Sequence, residues 1–142
     1  MKYIFSIPIL LLSFACAGRN LRTYVYGPRV LTGTVVLKTL KHPVTGKAIK
    51  NAMVLVLPEP VRFVPAPSDE EGDTVVTREI RIYGDVTKNI SPNVTYRAAI
   101  NKKVEINGNY VFAPSGNYPL LVNIIEAFSY KILAPPDSKS KR

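Results

Sequence analysis

Five short segments of strand-forming residues, separated by turn signals, constrain the fold of this chain more than any other feature. They span residues 30–38, 52–57, 75–83, 104–112 and 120–128. The fourth is the clearest, because apolar or small residues alternate with polar ones from Val104 to Phe112, which is the period of a half-buried strand. The second, AMVLVL, is a continuous apolar run with the length of a buried strand. The sequence therefore predicts a β-rich domain.

The order of these segments narrows the architecture further. The stretch from Val94 to Ile100 is the best helix candidate, with Asn93 as its N-cap, and it falls between the third and fourth strands. Gly33 and Gly108 lie inside the first and fourth strands, which suits a small barrel whose strands must bend sharply. We therefore expect an all-β chain with one short helix, folded as a five-stranded OB-like Greek-key barrel. The competing immunoglobulin-like sandwich takes about seven strands.

The N-terminal segment is typical of a secretory signal peptide, which we predict over residues 1–17. A positive start, an apolar run over residues 4–14 and a zone of small residues follow one another. Ala15 and Ala17 form an A-x-A cleavage site that would release a soluble protein, whereas lipidation of Cys16 would produce a bacterial lipoprotein. We expect a periplasmic or secreted protein, or an outer-membrane lipoprotein if Cys16 is lipidated, with no transmembrane helix after removal of the leader.

The remaining chain divides into three parts by composition. We predict a basic arm at residues 18–29, the barrel domain at residues 30–133 and a disordered basic tail at residues 134–142. The whole chain has a net charge of +9, but the barrel domain has 12 basic against 9 acidic residues. Most of the excess charge therefore belongs to the ends. Six basic residues there are candidate contacts to an anionic envelope surface: Arg19, Arg22, Arg29, Lys139, Lys141 and Arg142.

Nucleic-acid binding has less support in the sequence than binding of another ligand or hydrolysis. An oligonucleotide-binding barrel needs stacking aromatic residues interleaved with cations on its second and third strands. The second strand offers neither, and the third offers Arg81 and Tyr83 on its outer face. We keep these two residues as a possible ligand face.

The sequence offers few candidate catalytic residues. One His and one Cys exclude a disulfide framework and a multi-His metal centre, and His42 beside Pro43 is expected in a turn. A carboxylate-dependent hydrolase remains an alternative because four glutamates are available: Glu59, Glu79, Glu105 and Glu126. The acidic group at Asp69, Glu70, Glu71 and Asp73 lacks the spacing of an EF-hand. We predict no catalytic residue, no metal site and no cofactor.

Three stretches resemble an uncharacterised family of small secreted bacterial proteins with an OB-fold-like barrel. They are VLTGTV, NKKVEINGNYVFA and PLLVNIIEAF, and the similarity covers most of residues 30–128. Asn101 occupies the place of a glycine in that family's pattern, and the turn at residues 114–119 lacks the His residues that members often have. The resemblance implies an envelope or secreted barrel with no known activity.

These observations together predict an exported, non-enzymatic binding or envelope-associated module. Its ligand would be a protein, a peptide or a saccharide. Loops on a rigid barrel carry recognition, so residues 58–73 and 113–119 are the expected working surfaces. Asn93 also begins an N-glycosylation acceptor pattern, which matters only in a eukaryotic or viral source.

Overall fold

Hydrogen-bonded strands make up most of the chain that the computed structural model describes, which is residues 20–69, 72–83, 96–112 and 116–134. Within these ranges one sheet contains six strands: β1 Thr23–Val25, β2 Gly27–Lys41, β3 Ala48–Val64, β4 Val75–Ile82, β5 Lys103–Phe112 and β6 Val122–Ile132. The prediction of an almost entirely β protein is confirmed.

Five of the strands are bonded in a ring. Strand β3 pairs with β2 and β4, β2 pairs with β5, and β5 pairs with β6, all in antiparallel orientation. Strand β6 then pairs in parallel with β4 through two residue pairs, Arg81 with Asn123 and Ile82 with Ile124. The sixth strand, β1, lies parallel to β3 beside its last residues. The β4–β6 contact therefore closes the ring, with fewer residue pairs than the other pairings among the described residues.

The apolar core lies inside the ring, as the alternation along the strands requires. In β5, Val104, Ile106 and Tyr110 are fully buried, whereas Glu105 between them is exposed. Tyr110 satisfies its hydroxyl inside the core by donating to the carbonyl oxygen of Ile106 at 3.0 Å. The strand alternation predicted from residues 104–112 is therefore present, with its apolar face toward the interior.

The two strand glycines are explained by close approach of neighbouring strands. A Cβ on Gly33 would lie 2.6 Å from the carbonyl oxygen of Val56, and one on Gly108 would lie 2.8 Å from that of Glu126. Gly108 also adjoins a shift in the β5–β6 register, at Asn107. A side chain at either position would force two paired strands apart, so these positions favour glycine.

Several elements differ from the sequence predictions. Strand β3 continues to Val64 instead of ending at Leu57, and the additional strand β1 lies in the segment predicted as a basic arm. The predicted helix is not confirmed, because its described part contains only a 3-10 turn, Arg97–Ala99. Its N-cap, Asn93, lies outside the described residues.

The segment after that turn follows β2 instead of extending a helix. Val35 donates its N–H to the carbonyl oxygen of Lys102 and accepts a hydrogen bond from the N–H of Asn101. Asn101 has a φ of 61°, a left-handed conformation that asparagine tolerates better than most residues. The backbone groups that a longer helix would use are therefore bonded to a strand.

Candidate functional site

A cleft opens where β2 and β3 stop pairing. The β2–β3 register runs from Lys41 back to Thr34, which is opposite Val56. Beyond that point β3 pairs with β1 on the same side, from Arg62 to Val64. The gap between these two pairings is a cleft of about 410 Å³. That volume lies within the range of about 300–1,000 Å³ that is typical of small-ligand sites.

An irregular segment of β3 creates the gap. Its register with β4 shifts between Val56 and Val61, and Pro58 and Pro60 lie within the shifted segment. Proline has no backbone N–H, so these two positions cannot donate to a neighbouring strand. The guanidinium of Arg78 fixes the segment by donating from Nε to the carbonyl oxygen of Leu57 at 3.2 Å and from Nη2 to that of Pro58 at 3.0 Å. The irregular segment of β3 therefore forms the cleft, and Arg78 holds that segment in place.

The cleft has an apolar floor and a polar rim. Leu31, Leu57 and Val61 form the floor, and they are continuous with the core because each is buried. Arg22 and Glu59 are exposed at the rim, so it offers both signs of charge. The remaining residues that line the cleft are Tyr24, Val30, Thr32, Pro58 and Pro60. This combination suits a ligand with an apolar part and polar ends.

One edge of β2 faces the cleft, and none of the six described strands pairs with it there. The N–H and C=O of Val35 point away from β3, toward residues 101–102, and the β2–β5 register is continuous from Gly27 to Thr34. Because backbone groups alternate along a strand, those of Val30 and Thr32 point the opposite way, into the gap left by β3. The cleft therefore presents two residues of strand edge beside an apolar floor.

Arg29 and Tyr24 brace the wall of the cleft formed by β1. The guanidinium of Arg29 lies 4.4 Å from the centroid of the Tyr24 ring, and its Nη2 donates to the carbonyl oxygen of Val25 at 3.0 Å. Tyr24 in turn packs against buried Phe63, with ring centroids 6.1 Å apart. Arg29, predicted as a contact to an anionic surface, is half-buried and engaged within the protein. Arg22 is exposed at the cleft rim.

The possible ligand face at Arg81 and Tyr83 lies on the outer side of the ring. The Arg81 guanidinium is 4.9 Å from the centroid of the Tyr83 ring, and Tyr118 meets Tyr83 edge-on at 5.4 Å. Asn123 is opposite Arg81 on β6. We refer to Arg81, Tyr83, Tyr118 and Asn123 as the seam cluster, because they lie where β4 and β6 close the ring.

The seam cluster is largely withdrawn from solvent. Asn123 is 0% exposed, and its Nδ2 donates to the carbonyl oxygen of Leu120 at 3.1 Å. Burial raises the pKa of the Tyr83 hydroxyl above its usual value, and the Arg81 cation opposes part of that shift. Tyr83 is therefore neutral at physiological pH and can act as a hydrogen-bond donor.

The four glutamates considered for hydrolysis lie on four different strands, β3 to β6. Only Glu59 lines the cleft, and Glu79 forms a salt bridge with Lys38 on the outer face. Glu105 and Glu126 are exposed. The structure thus brings no two of these carboxylates together in the cleft.

The other residues considered in the sequence have local roles or lie outside the described ranges. His42 Nδ1 accepts hydrogen bonds from the N–H groups of Val44 and Thr45, as expected of a turn residue. Among the described residues no group of His, Cys, Asp and Glu could hold a metal ion. The following residues considered above lie outside the described ranges: Ala15, Cys16, Ala17, Arg19, Glu70, Glu71, Asn93, Val94, Lys139, Lys141 and Arg142.

Sequence reasoning missed the cleft edge and Asn123. The edge depends on where two strands separate, which the residue pattern of β2 does not encode. Asn123 did leave a signal, because it is a polar residue in the middle of the apolar stretch LLVNII. A buried amide in such a run needs hydrogen-bond partners, so the residue indicates a polar contact inside the protein.

Comparisons with known proteins add no relative. No protein-family model, no curated protein and no solved structure matches the chain. The resemblance to small secreted barrel proteins therefore stays a prediction. Within the described parts of the chain, no helix has the length and apolar character needed to cross a membrane.

Proposed function

We propose that this protein is an exported, non-enzymatic binding module on an OB-like barrel, and that its cleft binds an extended peptide. The strand order supports the OB-like part. The ring is made of five strands, the first of them pairs with the second and the fourth, and the third and fifth meet in parallel. Such a non-sequential order is the kind that Greek-key connections produce.

Export rests on the leader pattern at the start of the sequence. A positive start, an apolar run and an A-x-A zone are the three parts of a signal peptide. The basic residues of the two ends would then hold the protein near anionic envelope polymers or lipid. Lipidation of Cys16 would add a membrane anchor to this attraction.

The edge of β2 that has no partner among the described strands is the observation that favours a peptide. Val30 and Thr32 together present two N–H and two C=O groups to the cleft, in the spacing of a strand. A peptide in extended conformation matches this spacing with its own backbone, which is binding by strand addition. A saccharide has hydroxyl groups but no regular alternation of amide donors and acceptors.

The floor and rim set the expected sequence preference of the peptide. Alternate side chains of an added strand point to one face, so one apolar side chain would lie on Leu31, Leu57 and Val61. Charged residues flanking it would meet Arg22 and Glu59 at the rim. Because the free edge is only two residues long, we expect micromolar or weaker affinity.

The test starts from a displayed library of random heptapeptides, with the full chain as bait. Selected peptides are resynthesised, and each backbone nitrogen is methylated in turn. Strand addition predicts that methylation weakens binding at least 10-fold at alternate positions and has little effect at the positions between them. Indifference to methylation, or failure to enrich any peptide, would refute the proposal.

A pair of matched variants assigns the binding to the cleft. Val30 is 52% exposed and Val44 is 70% exposed, so lysine at either position leaves the core intact. Val30→Lys places a cation at the cleft and is expected to weaken peptide binding about 10-fold. Val44→Lys changes the turn between β2 and β3 and is expected to bind like the parent. Equal affinities of the two variants would place the peptide elsewhere.

A further inference from the structure

The hairpin that joins β2 to β3 extends beyond the ring of strands. The β2–β5 pairing stops at Thr34 and the β3–β4 pairing at Val54. Strands β2 and β3 continue to pair with each other as far as Lys41 and Ala48. Among the described strands, residues 39–51 therefore pair only with one another, and none of them is buried. We call residues 39–51 the basic hairpin.

The ionised side chains of the basic hairpin are all positive. Its three lysines are exposed, and it has no acidic residue. The lysines are Lys41, Lys47 and Lys50. The first Asp or Glu of the whole chain is Glu59, which lines the cleft. Residues 84–95, outside the described ranges, contain one acidic and one basic residue, so they leave the charge balance of the chain unchanged. The hairpin is therefore a local concentration of positive charge.

The tip of the basic hairpin exposes an apolar side chain. Val44 is 70% exposed, more than any other large hydrophobic residue among those described. It lies beside the loop before β6, because a Cβ built on Gly116 would be 3.1 Å from Cγ2 of Val44. Residues 116–121 of this loop have no charge, and Leu121 is 54% exposed. The same end of the molecule thus combines cations with exposed apolar side chains.

Hydrogen bonds hold the tip in one conformation. The N–H of His42 donates to the carbonyl oxygen of Lys47 at 2.8 Å, and the N–H of Gly46 donates to that of His42 at 2.9 Å. Nδ1 of His42 accepts from the N–H groups of Val44 and Thr45, each at 3.2 Å. Because these groups are paired inside the turn, the tip can enter a less polar environment without leaving them unsatisfied.

We propose that the basic hairpin docks on the surface of a bilayer that contains anionic lipid. The three lysines lie at the level of the headgroups, and Val44 enters the boundary between headgroups and acyl chains. This contact goes beyond the attraction of the two basic ends, because it is made by a folded element of the sheet. It shares no residue with the cleft, so the two proposals can fail separately.

The composition of the basic hairpin favours a bilayer over a nucleic acid or another soluble polyanion. The hairpin has no Phe, Tyr or Trp on which a base could stack, and no Arg to bind a phosphate with two parallel hydrogen bonds. An exposed valine gains nothing from a soluble polyanion, whereas the acyl boundary of a bilayer removes it from water.

A single tryptophan tests whether the tip enters the bilayer, because the chain has no Trp of its own. Val44→Trp places this reporter at the tip. Val76→Trp is the matched control, because Val76 is 51% exposed and pairs with Arg62, far along β3 from the hairpin. The full chain is mixed with vesicles of phosphatidylcholine, alone or with an equal amount of phosphatidylglycerol.

We expect the emission of Val44→Trp to shift by about 10 nm to shorter wavelength with the anionic vesicles, and brominated acyl chains to quench it. The emission of Val76→Trp should not change. Attachment through the leader or the basic ends alone leaves both reporters in water. That result, an equal shift of both reporters, or an equal shift with neutral vesicles overturns the proposal.

Lysine variants of the Val44→Trp chain assign the charge contribution. Replacement of all three hairpin lysines by glutamine should raise the lipid concentration needed for half of the shift about 100-fold at low salt. The control replaces three exposed lysines elsewhere, Lys102, Lys103 and Lys131, by glutamine, and should raise it by no more than about 5-fold. Because all six side chains are exposed, neither variant should change the unfolding temperature.

Two results would contradict the role of the hairpin lysines. One is an equal effect of the two lysine variants, which would indicate attraction by the whole protein. The other is an oligonucleotide that binds the parent chain as tightly as the anionic vesicles do, with the same loss on replacement of the hairpin lysines, which would assign the hairpin to a soluble polyanion.

Discussion

Replacement of Phe63 by alanine tests the arrangement of the core and of β1 together. Phe63 is 0% exposed, and it packs against Tyr26 in a stacked arrangement with centroids 5.7 Å apart and against Tyr24 at 6.1 Å. Truncation of a buried phenylalanine costs about 3–5 kcal/mol, which includes the cavity that remains. Because two aromatic contacts are lost as well, we expect about 4 kcal/mol.

Urea unfolding followed by circular dichroism or tyrosine fluorescence measures this change, since the chain has no Trp. At roughly 4 °C per kcal/mol for a domain of this size, the unfolding temperature should fall by about 15 °C. The control is Val76→Ala, because Val76 lies on β4 opposite Arg62, beside Phe63, yet is 51% exposed. We expect Val76→Ala to stay within about 0.5 kcal/mol of the parent.

Hydrogen exchange gives the Phe63→Ala variant a local signature. The N–H of Tyr26 donates to the carbonyl oxygen of Val64 at 3.0 Å, where β1 joins β3. Loss of the Phe63 ring removes the surface on which Tyr24 and Tyr26 pack, so the Tyr26 amide should exchange faster relative to amides of β5. A loss below about 1.5 kcal/mol with an unchanged m-value would refute the placement of Phe63 in the core.

Three further predictions concern other parts of the ring. Gly108→Ala should lose about 1–3 kcal/mol in urea unfolding, because the new Cβ would lie 2.8 Å from a β6 carbonyl oxygen; an unchanged midpoint would contradict this close approach. Lys38 and Glu79 are both partly exposed, so a double-mutant cycle with Lys38→Met and Glu79→Gln should give a coupling of about 0.2–1 kcal/mol that declines with salt; a larger, salt-independent value would contradict a surface pair. Burial, followed by the neighbouring Tyr130, raises the pKa of Tyr96 from 10.0 to about 12. The contribution of Tyr96 to stability should therefore be constant below pH 10 and fall between pH 10 and 12, because the unfolded chain ionises first. Tyr96→Phe should lessen the loss of stability in urea unfolding measured across this range.

The positions of strands could be predicted from the sequence where the alternation of apolar and polar residues depends on one strand alone. The alternation in residues 104–112 depends only on one face being inside, so it appears directly in the residue types. The second strand was predicted to end at residue 57, and the prolines at 58 and 60 favour such an end because proline is disfavoured at a central position in a sheet. Strand β3 nevertheless continues past them, since its register shift leaves no ladder hydrogen bond for those nitrogens to make. The register shift depends on how β3 pairs with β4, so the sequence of β3 alone does not predict it.

The two candidate sites also differ in how far the sequence predicts them. Arg81 and Tyr83 could be placed on one face of the third predicted strand from their spacing alone, and the structure has them in contact. Asn123 joins them only because β6 runs parallel beside β4, which is a long-range pairing between strands about forty residues apart. The cleft is even more difficult to predict from the sequence, because it lies where the pairing between β2 and β3 ends, and no single segment specifies that point.

The contact that closes the ring differs from the other pairings in its length and in the residues on its outer side. Among the described residues two pairs join β4 to β6, so backbone pairing contributes less there than at the long antiparallel pairings. Ile82 and Ile124 strengthen the inner side with buried apolar contact, whereas the outer side holds Arg81 and Asn123. An apolar pair on the outer side would stabilise the closure without any unsatisfied atom. The β4–β6 contact is therefore where we expect the ring to open first, and the Tyr83 amide, which donates to Ile124 across this contact, should exchange faster than the amides of the β5–β6 pairing.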